Sequence, residues 1–320
     1  MDRKTILFLP EASRAESESH TMNKSPWAVW AAALTVAAAG AAAQEPGGPA
    51  TAPATHPAAE QEELYRRHVE TLRATAPAGF TVVAARPFVV IGDGPAEAVA
   101  TQARGTVAWA VRLLKQDYFT ADPEHIIDIW LFQDADSYTR HTLSLFHERP
   151  ISPYGYFSPA HAALIMNIAT GGGTLVHEIV HPFMRANFPA CPPWLNEGLA
   201  SLYEQCVERD GHIHGLTNWR LAGLQEAIRG GKCLSLEKLC ALDGAGFYGE
   251  GSGLHYAMAR YLCYYLQEQG LLVQFYRAAA DHAGADPTGY HSLQKVSGAA
   301  DMVQFQQRWE AWVLTLKFGG

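Results

Sequence analysis

No Cys-x-x-Cys pair occurs in the 320 residues, and the five cysteines (Cys191, Cys206, Cys233, Cys240 and Cys263) are an odd number. A structural zinc knuckle is therefore unsupported, and at least one thiol is free or pairs outside the chain. Small buried residues, with at most one bridge among them, are the expectation. Basic residues are also scarce: 24 Lys and Arg face 32 Asp and Glu, a formal charge of −8. Nucleic-acid binders need a net basic footprint to displace counterions, so that class is set aside. No basic block of the kind that binds acidic membrane surfaces stands out. Strongly apolar runs of the roughly 20 residues needed to span a bilayer are missing, and so is any internal repeat. What remains is ordinary: 48% hydrophobic and 18% charged residues suit a globular chain, long enough for one large domain or two small ones.

The N-terminal region has an organisation of its own. From Met22 it reads Met22-Asn23-Lys24-Ser25-Pro26, then an apolar stretch from Trp27 to Ala39, then Ala41-Ala42-Ala43-Gln44. That is a short positive segment, an apolar segment and a small-residue cleavage site, the anatomy of a secretory signal. Residues 1–43 are expected to be a signal-peptide region, with Met22 a candidate true start, and the mature protein to be exported (periplasmic, extracellular or at the cell surface). A membrane anchor is the alternative, so membrane contact is expected only if the signal stays uncleaved. Residues 44–59, rich in Pro, Ala, Gly and Thr, read as a linker. The globular domain is expected over 60–320.

Within it, Phe80–Ala85, Phe88–Ile91, Ile126–Phe132 and Ala162–Ile168 have the β-branched, turn-bounded character of strands. Ala96–Tyr118 and Asp136–Phe146 show helical periodicity. Beyond Gly171-Gly172-Gly173 the pattern is nearly all helical, with segments near Thr174–Asn187, Trp194–Glu208, Asn218–Arg229, His255–Glu268, Leu271–His282 and Asp301–Lys317. The order predicts an α+β fold: a small mixed sheet, an active-site helix, then a mainly helical lobe.

The chemistry sits where the two patterns meet. Thr174–His181 contains His177-Glu178-Ile179-Val180-His181. On a helix, residues four apart share a face, so both imidazoles reach one ion, and neutral imidazole nitrogens suit zinc. Glu178 lies about 100° round from His177, near the metal without binding it, where a carboxylate can take a proton from water. With this chain's own His and Glu content the pattern arises by chance in about 4% of such sequences. Two histidines at a helix edge are the plain alternative. The next segment, Pro192-Pro193-Trp194-Leu195-Asn196-Glu197-Gly198-Leu199-Ala200, opens a second helix. Glu197 there would complete three protein ligands and leave a fourth position open, as in catalytic zinc sites, with a solvated helix-start acid favoured by the macrodipole as the plain alternative.

His177-Glu178-x-x-His181 followed by Trp194-Leu195-x-Glu197-Gly198-Leu199-Ala200 resembles the gluzincin metallopeptidases, in particular the compact peptidase-MA-like group of exported bacterial proteins. The close match covers about residues 160–205, with a looser match from about 80 to 285. The resemblance implies a thermolysin-like catalytic core, Zn2+ bound by His177, His181 and Glu197, and an edge strand above the metal. Ala162–Ile168 is the candidate for that strand, to which a peptide could pair, and a buried core strand is the equal alternative. An oxyanion donor is implied near Tyr248–Tyr261, with Tyr256 the first candidate, His255 the second, and an aromatic core position the alternative for Tyr256. The expected activity is hydrolysis of peptide bonds in a peptide or protein substrate, with Glu178 as general base. Only Met166-Asn167 is similar to the aminopeptidase signature, which favours an endopeptidase. A zincin-fold protein without turnover, or a zinc hydrolase of a non-peptide bond, are the other readings.

Two departures from the family pattern matter. Ser201 stands where gluzincins place an Asp to orient the first histidine, so that role falls to another group, Glu204 or a backbone carbonyl. Pro182 follows the second histidine directly, and the active helix is expected to kink or end there.

Overall fold

Apolar runs between Phe80 and Asn167 assemble into one five-stranded sheet. In the computed structural model, which describes residues 58–318, the strands are β1 (Thr81–Ala85), β2 (Phe88–Gly92), β3 (Ile127–Phe132), β4 (Gly155–Ser158) and β5 (Ala163–Asn167). The expected signal region and all but the last two residues of the expected linker lie outside the described residues. The strand order is β1-β2-β3-β5-β4; β2, β3 and β5 run parallel, and β1 and β4 pair antiparallel at the two edges. This explains why β2 and β5 read as unbroken apolar runs: each has a strand on either side and every one of its residues is buried. Helix α1 (Ala58–Thr75) is clamped to the β1–β2 hairpin by Tyr65, whose hydroxyl donates to the Phe88 carbonyl at 2.8 Å and accepts from Ala85 N–H at 3.1 Å. Its Tyr65 and Val69 pack with Val89 and Ile91.

Two expectations change here. Ala162–Ile168 was the candidate edge strand, but β5 is interior, held by β3 and β4. The edge position belongs to the short strand β4, whose four residues carry too weak an alternation to stand out in sequence. The long helix expected at Ala96–Tyr118 is α2 (Ala96–Gln102), a π-helical stretch (Ala103–Ala108) and α3 (Trp109–Asp117) in succession.

The described residues form two units: residues 58–105 and 125–169 with the sheet, and residues 106–124 and 170–318. The first also holds α2 and α4 (Ala135–Phe146). The second holds α3, α5 (Gly172–Asn187), α6 (Pro193–Leu202), the hairpin β6 (Cys206–Arg209) and β7 (His212–Gly215), and α7 (Arg220–Arg229). It continues with α8 (Leu236–Cys240), α9 (Gly244–Phe247), α10 (Ser252–Glu268), α11 (Leu272–Asp281), α12 (Tyr290–Ser297) and α13 (Met302–Thr315). The described residues therefore make a mainly helical α+β protein with a small mixed sheet.

Helix α5 does not end at Pro182; it runs five residues further, to Asn187. Phe183 and Met184 beyond the proline are buried, and Phe183 stacks on Phe119 with ring centroids 5.5 Å apart. The Asn187 side chain accepts from Thr120 N–H and Ala121 N–H, each at 2.9 Å, and donates to the Ala121 carbonyl at 2.9 Å. Burying two large apolar side chains is worth about 1.5–3 kcal/mol each, enough to offset the hydrogen bond that a proline removes.

Helix α6 stops at Leu202, where periodicity carried it to Glu208. Arg260 of α10, fully buried, donates from Nε to the Ser201 carbonyl at 2.9 Å and from Nη2 to the Leu202 carbonyl at 3.3 Å and the Leu216 carbonyl. A guanidinium there satisfies the orphan carbonyls and opposes the negative end of the helix dipole. The chain then turns into β6–β7 through Asp210 and Gly211, at φ 53° and 84°, the positive pair that a two-residue hairpin turn requires. All five cysteines are free, so no bridge forms. Among the described residues no helix is long and apolar enough to cross a membrane.

Candidate metal centre

His177 and His181 lie one turn apart on α5, whose Leu175, Val176, Ile179, Val180 and Phe183 have no solvent exposure and lock the helix in place. Glu197 projects from α6, which begins with Pro193 at its first position and is anchored by the motif's tryptophan: Trp194 Nε1 donates to the Thr288 carbonyl at 2.8 Å, and its ring stacks on Phe275. Both helices belong to the same unit. One ligand atom from each of His177, His181 and Glu197 falls within 4.8 Å of the others, so the group could hold a metal ion.

Glu197 Oε2 is 3.4 Å from His177 Nε2 and 3.8 Å from His181 Nε2. Ligands bound at about 2.0–2.2 Å in tetrahedral geometry stand about 3.4 Å apart, so the spacing fits zinc with little adjustment. Glu197 Oε2 is also buried and makes no hydrogen bond. The two imidazoles stand opposite it, so the oxygen is placed to take a cation between them.

The other atom of each ligand is held. His181 Nδ1 lies 3.1 Å from Asn196 Oδ1, which can only accept; Nδ1 therefore carries the proton and Nε2 keeps a lone pair. His177 Nδ1 faces Glu204 Oε1 at 3.3 Å, an ion-pair distance without hydrogen-bond geometry. Glu204 in turn accepts from Arg220 Nη2 at 2.8 Å and Asn218 Nδ2 at 3.1 Å. Glu197 Oε1 accepts from the Tyr248 hydroxyl at 2.8 Å. Of the two groups weighed to orient His177, Glu204 is the one in place, and Ser201, fully buried, has no hydrogen-bond partner for its hydroxyl.

The charges are strongly coupled. Burial raises the Glu197 carboxyl, but His181, His177 and the Tyr248 hydroxyl outweigh it and bring it down to about 2. Burial lowers His177, yet the carboxylates of Glu197, Glu204 and Glu178 outweigh it and drive it up to about 10. His181 is lowered, chiefly by burial. Glu178, beside His177 and almost fully buried, is pushed up to about 8 by burial, with the charges of Glu197 and Glu204 adding to it against the pull of His177. A carboxyl poised there can accept and return a proton near neutral pH.

Tyr256 is buried in α10, its ring 5.2 Å from that of Phe247 and 5.6 Å from the Arg220 guanidinium. Burial raises its phenol, and the charges of Glu197 and Glu178 contribute, which places it in the electrostatic reach of the centre. His255 is tied down locally: its Nδ1 donates to the Phe247 carbonyl at 2.9 Å. Sequence reasoning missed Tyr248, Asn196, Asn218 and Arg220. Asn196 stands inside the motif, next to Glu197, and Tyr248 opens the glycine-rich segment before α10. Asn218 and Arg220 follow an unforeseen hairpin and carry no sequence signal. No protein-family model matches the chain, and no curated protein matches it.

Proposed function

We propose that this chain is an exported zinc metallopeptidase of the gluzincin type, an endopeptidase in which His177, His181 and Glu197 hold the metal and Glu178 is the general base. The observation that carries the reading is Glu197 Oε2, a buried oxygen without a hydrogen bond, 3.4 and 3.8 Å from two imidazole Nε2 atoms. A zinc ion in that position supplies a Lewis acid that polarises a carbonyl and lowers the pKa of water to about 7. Glu178 takes the proton of the attacking water and returns it to the leaving amine. Tyr256 is favoured over His255 as oxyanion donor, because His255 Nδ1 is committed to the Phe247 carbonyl. The zincin fold belongs to the same reading, supported by the order of mixed sheet, histidine helix and glutamate helix. Export rests on the residues from Met22 to Gln44.

Metal analysis of the purified protein, with casein and peptide-library cleavage by wild type and Glu178→Gln, tests the proposal. One zinc per chain in both proteins is expected, with cleavage lowered about 10²–10⁴-fold in the variant. Zinc bound without any peptide cleaved moves the reading to a zincin-fold binding protein or a hydrolase of another bond. A protein that takes up no zinc overturns it.

A further inference from the structure

We infer that Tyr248 is the positioning residue that makes Glu197 a one-oxygen metal ligand and so keeps the fourth coordination position free. The inference rests on the metal reading above and concerns a residue outside the His-Glu-x-x-His…Glu pattern. A carboxylate on a metal can bind through one oxygen or chelate through both. In a site of three protein ligands, chelation raises the coordination number to five and crowds the position that water or a substrate carbonyl needs. The two oxygens of Glu197 are unequal here. Oε1 accepts the Tyr248 hydroxyl at 2.8 Å, while Oε2 has no hydrogen bond and faces the imidazole nitrogens of His177 and His181. Glu197 is 3% exposed, so no solvent competes for Oε1.

The phenol is itself fixed. Tyr248 ends α9, its N–H donating to the Gly244 carbonyl at 3.1 Å, and its ring lies edge-on to Phe247 with centroids 5.3 Å apart. A donor held that way resists rotation of the carboxylate about its last bond, and outer-shell donors of this kind set ligand orientation and affinity.

Tyr248→Phe removes the hydroxyl and keeps the ring. Zinc affinity is measured by competition with a chromophoric chelator, and the visible spectrum of the Co2+-loaded protein reports coordination number. The expected result is zinc affinity weakened about tenfold or more, with a weaker Co2+ absorption as the freed carboxylate chelates and the ion becomes five-coordinate. Affinity and spectrum equal to wild type, even with peptide cleavage reduced, would overturn the inference and make Tyr248 a substrate-side group; the metal reading would stand. A wild type that binds neither Zn2+ nor Co2+ brings down the metal reading first. If the variant does not fold, the zinc-loaded wild-type crystal structure decides: Glu197 bound through Oε2 alone with Oε1 on Tyr248 supports the inference, and a chelating Glu197 overturns it.

Discussion

Glu204 is paired with both a histidine and an arginine. It faces His177 Nδ1, accepts from Arg220 and Asn218, and is 3% exposed. Burial raises its carboxyl, but Arg220 and His177 outweigh that and hold it below the usual carboxylate range, so it stays ionised. In the proposed reading it takes the place of the Asp that the gluzincin pattern puts at position 201, from three residues further on. Glu204→Gln keeps the shape and removes the charge. The expectation is zinc affinity weakened about 10–100-fold, and a chelator titration measures it. The same variant leaves Arg220 without its carboxylate. A loss of about 3–5 kcal/mol is the upper range for a broken buried pair, and urea denaturation of the metal-free protein reads it. Glu204 was legible in sequence as one of two groups to orient His177. Its partners Asn218 and Arg220 were not, because they meet it only once α6 stops at Leu202 and the chain returns through β6–β7.

At the scale of elements, the centre depends on how closely α6 lies on α10. A Cβ added at Gly198 would stand 2.9 Å from the Ala259 carbonyl oxygen and 2.9 Å from Cys263 Sγ. The carbonyl belongs to the backbone of a buried helix and cannot step aside. Gly198→Ala is therefore expected to cost about 1–3 kcal/mol and to displace Glu197, its neighbour, from the two histidines. A lower urea midpoint together with weaker zinc binding checks both parts. The small residues of the motif were legible as a close-packing signal, and so were the two helices. The end of α6 was not, because periodicity cannot see Arg260, a residue 58 positions later than Leu202 that caps it. Nor could local rules weigh Pro182 against the burial of Phe183 and Met184. The β6–β7 hairpin did carry a signal, Asp210-Gly211, in the gap between the expected helices Trp194–Glu208 and Asn218–Arg229, the first of which had taken in most of β6.

For the molecule as a whole, a metal that binds the folded state alone raises its stability by mass action. Free zinc at about 100 times its dissociation constant adds about 2.7 kcal/mol, so the thermal midpoint is expected to rise with zinc and fall again on chelation. The gain should depend on pH. The carboxylates of Glu197 and Glu204 outweigh burial and push His177 up to about 10, so in the metal-free protein a proton competes with the ion. One displaced proton makes apparent affinity rise about tenfold per pH unit below that value. Calorimetric titration at several pH values, in buffers of different ionisation enthalpy, measures the slope and the proton released. An affinity that does not change with pH would contradict the protonation of His177.

The sequence by itself determined the candidate ligand types and the elements that present them. His177 and His181 share a helical face because of their spacing, Glu197 starts the following helix because two prolines precede it, and the neighbouring apolar residues bury both helices. These are local facts, set by a period of 3.6 residues and by the fixed geometry of proline. Only the tertiary structure decided which groups surround the ligands. Tyr248, Glu204, and the neighbouring Asn218 and Arg220 reach the centre from three separate places in the chain, and their 2.8–3.3 Å contacts depend on where α6 ends and how α10 packs on it. Those positions are set by the burial of Arg260 and by the close approach at Gly198, energies between residues distant in sequence that no local pattern records.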